Sequence, residues 1–274
     1  LSARYSQTLS DDWTKTLHMQ ADRTIELHTQ GGFHYRTRIP RFGRALAYHF
    51  PSCDALFGAS GNEVYRLNLE QGRYLNPLVL GGGSHGAEDD SSVSGTVAGV
   101  NAIDINPVHG LWAFGIDGNG TVEFWDPRSR SSLGVLVLPR SRLIPVGTVG
   151  KTVLPGVDGD HSLGLSVTAL TSRSDGLSYA VGTSTGHTLL YDIRSRRPFA
   201  VKDQGYGLPI KRVSWVEGGV KMAGDGLLVS ADKKVIKIWD RNSVRSRLAL
   251  VFSWQFHELS ASAIRKFHID DPGD

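Results

Sequence analysis

Short runs of alternating apolar and polar residues recur along the chain, and several of them end alike. "GTVEFWDPRS" places Val122 and Phe124 at alternate positions before Trp125-Asp126. "GHTLLYDIRS" does the same with Leu189 and Tyr191 before Asp192, and "KKVIKIWDRN" with Val235, Ile236 and Ile238 before Trp239-Asp240. A period of two in β-branched and aromatic residues predicts strands. Before each pair come two more apolar runs broken by turn residues, such as "VNAIDINPVHG" then "LWAFGIDGNG". After each pair comes another, "SLGVLVL", "PFAVK" or "RLALVF". Each unit therefore reads as four strands joined by turns.

Two earlier units fit the same template, with His28-Thr29 and Leu67-Asn68 at the aromatic-Asp position. Aligned on Thr29, Asn68, Asp126, Asp192 and Asp240, successive units are 39, 58, 66 and 48 residues apart. The base period of about 40–45 is that of a WD40 propeller blade. The longer spacings hold polar and Gly/Pro-rich stretches at 81–99 and 139–162, which read as surface loops inserted between blades. The expected fold is all-β, a WD40-type β-propeller with five four-stranded blades. They fall near 1–39, 44–79, 100–138, 165–202 and 210–251, followed by an atypical tail at 252–274. Such rings usually have seven blades, so an incomplete part of a ring is expected.

"EVYRLNLEQGRYLNPL" (63–78) shows how the template decides an ambiguous stretch. Its apolar spacing alone also suits a helix. In register with the other units it is a third strand, a turn at Glu70-Gln71-Gly72 and a fourth strand from Arg73. Tyr65 and Asn68 then lie on the third strand, and Arg66, Glu70, Gln71 and Arg73 are expected to be exposed.

Composition narrows the classes of function. The 274 residues include 40% hydrophobic and 21% charged residues, enough for a globular core. The single cysteine, Cys53, excludes an internal disulfide and a CxxC metal site, and favours a reducing compartment. "LSARYSQTLSDDW" does not read as a signal peptide, and no apolar window reaches the length of a membrane span. Gly182-Thr183-Ser184-Thr185-Gly186 matches GxSxG, but a strand follows it where a nucleophile elbow needs a helix. "GIDGNG" (115–120) lacks the glycine order of a phosphate loop and reads as a hairpin turn. The ten histidines show no paired metal spacing. No catalytic residue, metal or cofactor is expected.

The net charge of +3 permits a polyanionic partner without requiring one. Placement sharpens the point. In an antiparallel four-strand unit the third-to-fourth turns of all blades share a face. Those turns carry Arg128 and Arg130, then Arg194, Arg196 and Arg197, then Arg241 and Arg245. "RTRIPRFGR" adds Arg38, Arg41 and Arg44 on the opposite face. Two readings stand: a basic rim for RNA phosphates or an acidic protein segment, or ordinary solvated turns. No aromatic string of the kind that stacks bases supports base-specific reading.

The strings "HTQGGFHYRTRIPRFGR", "YHFPSCD", "EVYRLNLEQGRYLNPL", "INPVHGLWAFG", "VEFWDPR", "AVGTSTGHTLLYDIRS", "VKDQGYGLPIK" and "SADKKVIKIWDRNS" closely resemble the nucleolar protein 10 family. That family comprises WD-repeat proteins of the small-subunit processome. The resemblance runs from about Leu9 to Ser243, and residues 246–274 fall outside it. It implies a non-catalytic scaffold of the nucleolus, supporting pre-18S rRNA processing and small-subunit assembly. The implied partners are other processome proteins and pre-rRNA or U3 RNA, with no membrane and no small-molecule substrate. The alternative is a general WD40 peptide-binding adaptor not tied to RNA.

Overall fold

The computed structural model describes residues 3–8, 14–81, 99–143, 164–216, 226–241 and 246–251. They form five antiparallel sheets of four strands, each in simple chain order. The first sheet holds β1 (Ala3–Thr8), β2 (Thr16–Gln20), β3 (Thr24–Thr29) and β4 (Gly32–Arg38). The second holds β5 (Gly43–His49), β6 (Asp54–Ala59), β7 (Glu63–Asn68) and β8 (Arg73–Val79). β9 (Val100–Ile105), β10 (Trp112–Ile116), β11 (Thr121–Asp126) and β12 (Ser131–Val137) make the third. The fourth is β13 (Val167–Ser172), β14 (Ser178–Thr183), β15 (His187–Asp192) and β16 (Ala200–Asp203). The fifth is β17 (Arg212–Val216), β18 (Leu227–Ala231), β19 (Val235–Asp240) and β20 (Ser246–Val251).

First strands of successive sheets pack side by side, so β5, β9, β13 and β17 line the inside and fourth strands lie outermost. This is the all-β propeller arrangement that the repeat predicts. The second strands β6, β10 and β14 are buried along their whole length, because a neighbouring sheet covers each face. Outer strands instead alternate, as β12 does with Leu136 inward and Val135 and Val137 outward.

The core lies between sheets rather than within them. One cluster joins the first and second sheets through Leu17, Ile25, Phe57 and Leu67. Another joins the second and third through Leu56, Val64, Trp112 and Phe114. A third joins the third and fourth through Val122, Leu136, Tyr179 and Tyr191, and a fourth joins the last two through Leu190, Leu228 and Trp239. Backbone approaches at these joints are close. A Cβ on Gly58 would sit 2.6 Å from the Val100 carbonyl oxygen, so only glycine lets β6 and β9 meet there.

The stretch read as a loop at 139–162 begins differently. Arg140–Leu143 forms a short helical turn, and Leu143 is buried against Leu165 in the cluster between the third and fourth sheets. An apolar side chain beside an unfilled joint packs into it, which the Gly/Pro-rich composition conceals. Residues 82–98, 144–163, 242–245 and 252–274, which include most of both inserted stretches, Arg245 and the tail, lie outside the described residues.

Candidate functional site

In the second, third and fourth sheets the residue that closes the third strand builds the third-to-fourth turn. Asp126 Oδ1 accepts the backbone N–H of Arg128 at 2.9 Å, and Asp192 Oδ1 accepts that of Arg194 at 2.9 Å. Asn68 Oδ1 accepts the N–H of Gln71 at 2.8 Å. A short side chain that bonds its own backbone two or three residues on sets the turn, which is why Asp or Asn recurs there. Gly72 completes the second-sheet turn with φ +63, and Arg130 adopts φ +54 in the third. The aromatic partners are core residues: Trp125, Tyr191 and Trp239 are each buried.

Arginine thus follows the turn-setting carboxylate in two adjacent sheets. Arg194 closes a fork on Asp192, with Nε 2.8 Å from Oδ1 and Nη2 2.6 Å from Oδ2. That hydrogen bonding holds the Asp192 carboxyl down at about 2. Arg128 leans on Asp126 more loosely, at 3.3 Å. The Asp126 carboxyl is also lowered, first by the backbone N–H of Arg128. Arg130, Arg196 and Arg197 are exposed and form no ion pair among the described residues.

Not every arginine of the expected rim is available. Arg241 is half-buried, its Nη2 3.3 Å from Ser178 Oγ and its guanidinium over the Phe199 ring at 5.2 Å. It ties the fifth sheet to the fourth. Arg44, expected on the opposite face, spans two sheets to reach Asp117 Oδ2 at 2.6 Å and Asn101 Oδ1 at 3.2 Å. Arg41 donates to the Ser60 carbonyl at 3.2 Å and stays exposed, as does Arg38.

The stretch 63–78 also divides. Glu70, Gln71 and Arg73 are exposed as expected. Arg66 is not: its side chain is 12% exposed and lies 2.6 Å from the buried Asp54. Asp54 accepts from Asn68 Nδ2 as well, at 2.9 Å, and the Arg66 guanidinium covers the Trp112 ring of the next sheet at 5.4 Å. A strand-centre arginine facing a joint cannot stay solvated, so it pairs with the carboxylate that faces the same joint. Tyr65 stacks on Phe57, and Tyr74 Oη donates to the Arg38 carbonyl of the first sheet at 2.8 Å. Much of the wording of this stretch therefore holds three sheets together.

Two further features carry no sequence signal of their own. Gln204 bridges the fourth and fifth sheets: its Oε1 accepts from Ser230 Oγ at 2.7 Å and its Nε2 donates to the Val235 carbonyl at 3.0 Å. Ser230 Oγ in turn accepts from Trp239 Nε1 at 2.7 Å. Second, a cleft of about 410 Å³ opens between the third and fourth sheets beside the arginine-bearing turn. Phe124, Leu136, Tyr179 and Tyr191 wall it, and Asp192, Arg194 and Arg196 stand at its rim. Gly134, opposite Phe124 on the neighbouring strand, lacks the side chain that would fill it.

The GxSxG match is the β14–β15 hairpin, and "GIDGNG" the β10–β11 hairpin. Among the described residues no group of three or more His, Cys, Asp or Glu is placed to hold a metal ion. No helix among them is long and apolar enough to cross a membrane.

A chain in the crystal structure of the mitotic checkpoint complex superposes with a TM-score of 0.59 over 91% of this chain and 68% of its own length. At 15% identity that likeness concerns the fold alone. The ribosome biogenesis protein enp2 homolog of Schizosaccharomyces pombe is 50% identical over 86% of this chain. Ribosome biogenesis protein ENP2 of Saccharomyces cerevisiae is 43% identical over 85%, and human nucleolar protein 10 is 43% identical over 86%. The chain spans 34%, 28% and 29% of the lengths of these three relatives. The family model described as "Nucleolar protein 10-like, N-terminal domain" matches residues 3–262, beyond the Leu9–Ser243 stretch in both directions. With nearly the whole chain matched, it belongs to the nucleolar protein 10-like family, as a β-propeller of that family's N-terminal domain.

Proposed function

We propose that this chain is a non-catalytic scaffold in ribosome biogenesis, acting in the nucleolus within the small-subunit processome and supporting pre-18S rRNA processing. The observation that carries the reading is its 43–50% identity, over most of its length, with proteins named for ribosome biogenesis. The geometry supports it. Sheets tied to one another by Arg44, Arg66, Gln204 and Arg241 present their third-to-fourth turns on a common face. There Arg130, Arg196 and Arg197 are exposed, beside Arg128 and Arg194 on their turn carboxylates. Several modest contacts on one body add up to strong association. The partners are other processome proteins, with pre-rRNA or U3 RNA at the basic turns.

Affinity purification of the chain from nucleolar extract tests this. Pre-ribosomal proteins and U3 RNA are expected to copurify, and RNase treatment is expected to release part of them. Recovery of neither sinks the proposal. Retention of every partner after RNase points instead to a peptide-binding adaptor not tied to RNA.

A further inference from the structure

The cleft between the third and fourth sheets has three properties that converge. Its walls are apolar, formed by Phe124, Leu136, Leu170 and Tyr179. Its rim carries Arg194 and Arg196, with Arg197 next in the chain. At its side stands Tyr191, 1% exposed, whose hydroxyl has no hydrogen-bond partner among the described residues. A buried, unpaired hydroxyl is costly to the fold, and a ligand acceptor would relieve that cost.

The adjoining strand adds a fourth property. β12 is the outer edge of its sheet, with one row of backbone groups unpaired within the sheet. Leu133, Val135 and Val137 stand exposed along it, more large apolar residues than β4, β8 or β16 shows. An apolar edge strand is a template for an added strand.

From these we infer that the cleft and the β12 edge form a docking site for an extended, acidic peptide segment of a partner protein. One apolar side chain enters between the sheets and a nearby carboxylate meets Arg196. The peptide backbone runs along β12 and supplies an acceptor for Tyr191. Charge complementarity decides the chemistry of the partner: Arg128, Arg130, Arg194, Arg196 and Arg197 outnumber Asp126 and Asp192 around this joint. The rings do not suit RNA. Phe124 and Tyr179 meet edge to face at 84° and wall a cleft between two sheets, not a flat platform on which successive bases stack. The inference builds on the reading of this face as a contact surface but not on its ribosomal assignment, so the two can fail separately.

A displayed library of random peptides, about 16 residues long so that a full strand can form, tests it on the purified full chain. The enriched peptides are expected to share an apolar residue with Asp or Glu close by. Their affinity is expected to fall about tenfold on Arg196→Glu, an exposed change that leaves the fold alone. Leu170→Trp, which fills the cleft, is expected to abolish binding, with circular dichroism confirming the fold; if it unfolds, Tyr191→Phe replaces it, with a several-fold loss expected. No enrichment, enrichment without acidic residues, or binding untouched by Arg196→Glu overturns the proposal. So does an oligouridine strand that binds the chain and whose affinity the same variants reduce.

Discussion

Arg66 on β7 lies 2.6 Å from Asp54 on β6, and only 1% of the aspartate side chain reaches solvent. The pair sits where the second sheet meets the third, with Asn68 on the second carboxylate oxygen and Trp112 under the guanidinium. An arginine expected to face a partner is thus part of the joint.

Arg66→Ala leaves the Asp54 carboxylate buried with Asn68 as its remaining side-chain partner. Removing one member of a buried pair is strongly destabilising, so a loss of about 2–4 kcal/mol is expected. Urea unfolding followed by tryptophan fluorescence measures it. An unchanged midpoint would mean that the pair contributes nothing.

The exposed turn behaves oppositely. Arg194→Glu, Arg196→Glu and Arg197→Glu together are expected to leave the thermal midpoint within about a few degrees, because exposed ion pairs contribute little to stability. Association with pre-ribosomes is expected to weaken clearly in the same variant. Wild-type recovery in a quantitative pull-down would assign these arginines to solvation alone.

Gln204→Leu removes the acceptor of Ser230 Oγ and the donor to the Val235 carbonyl inside the joint between the last two sheets. Orphaned buried polar groups cost about 1–3 kcal/mol, and a loss of that size is expected. An unchanged urea midpoint would show that neither the Ser230 hydroxyl nor the Val235 carbonyl depends on Gln204 for a partner.

Asp104 on β9 predicts a pH dependence. Burial pushes its carboxyl up from 3.8 to about 6, although it accepts the Ser172 N–H at 3.0 Å and the residue keeps some exposed surface. Between those values the folded state holds a proton that the unfolded state has released. Its contribution to stability is therefore highest below the lower value and falls as pH rises to the upper one. Asp104→Asn is expected to gain on the order of 1–2 kcal/mol near neutrality and nothing near pH 4. Melting curves across that range check it, and a gain independent of pH would contradict it.

What the sequence could reveal divides along a physical line. The strands were legible because Trp125-Asp126, Tyr191-Asp192 and Trp239-Asp240 repeat a local pattern: an aromatic for the core in all three and, at Asp126 and Asp192, a carboxylate that sets the turn. The turn arginines were legible for the same reason, since their positions follow from counting. Which arginines are committed elsewhere was not. Arg44 finds Asp117 and Arg241 finds Ser178 across sheet joints, 73 and 63 residues apart in the chain. No local pattern encodes such a meeting. Gln204 lies hidden in "VKDQGYG", where nothing marks it as polar glue. The cleft depends on what Gly134 lacks and on how two sheets splay, neither of which is a motif.

Among the described residues each core cluster is shared between neighbouring sheets, and this has a consequence for synthesis. A sheet that has just left the ribosome has one apolar face covered by its predecessor and the other still bare. It is completed only when the next sheet arrives, some 40–65 residues of translation later by the spacing of the repeats. The growing chain therefore always carries one sticky leading face, and a pause in translation between two sheets leaves that face waiting for any surface that will cover it.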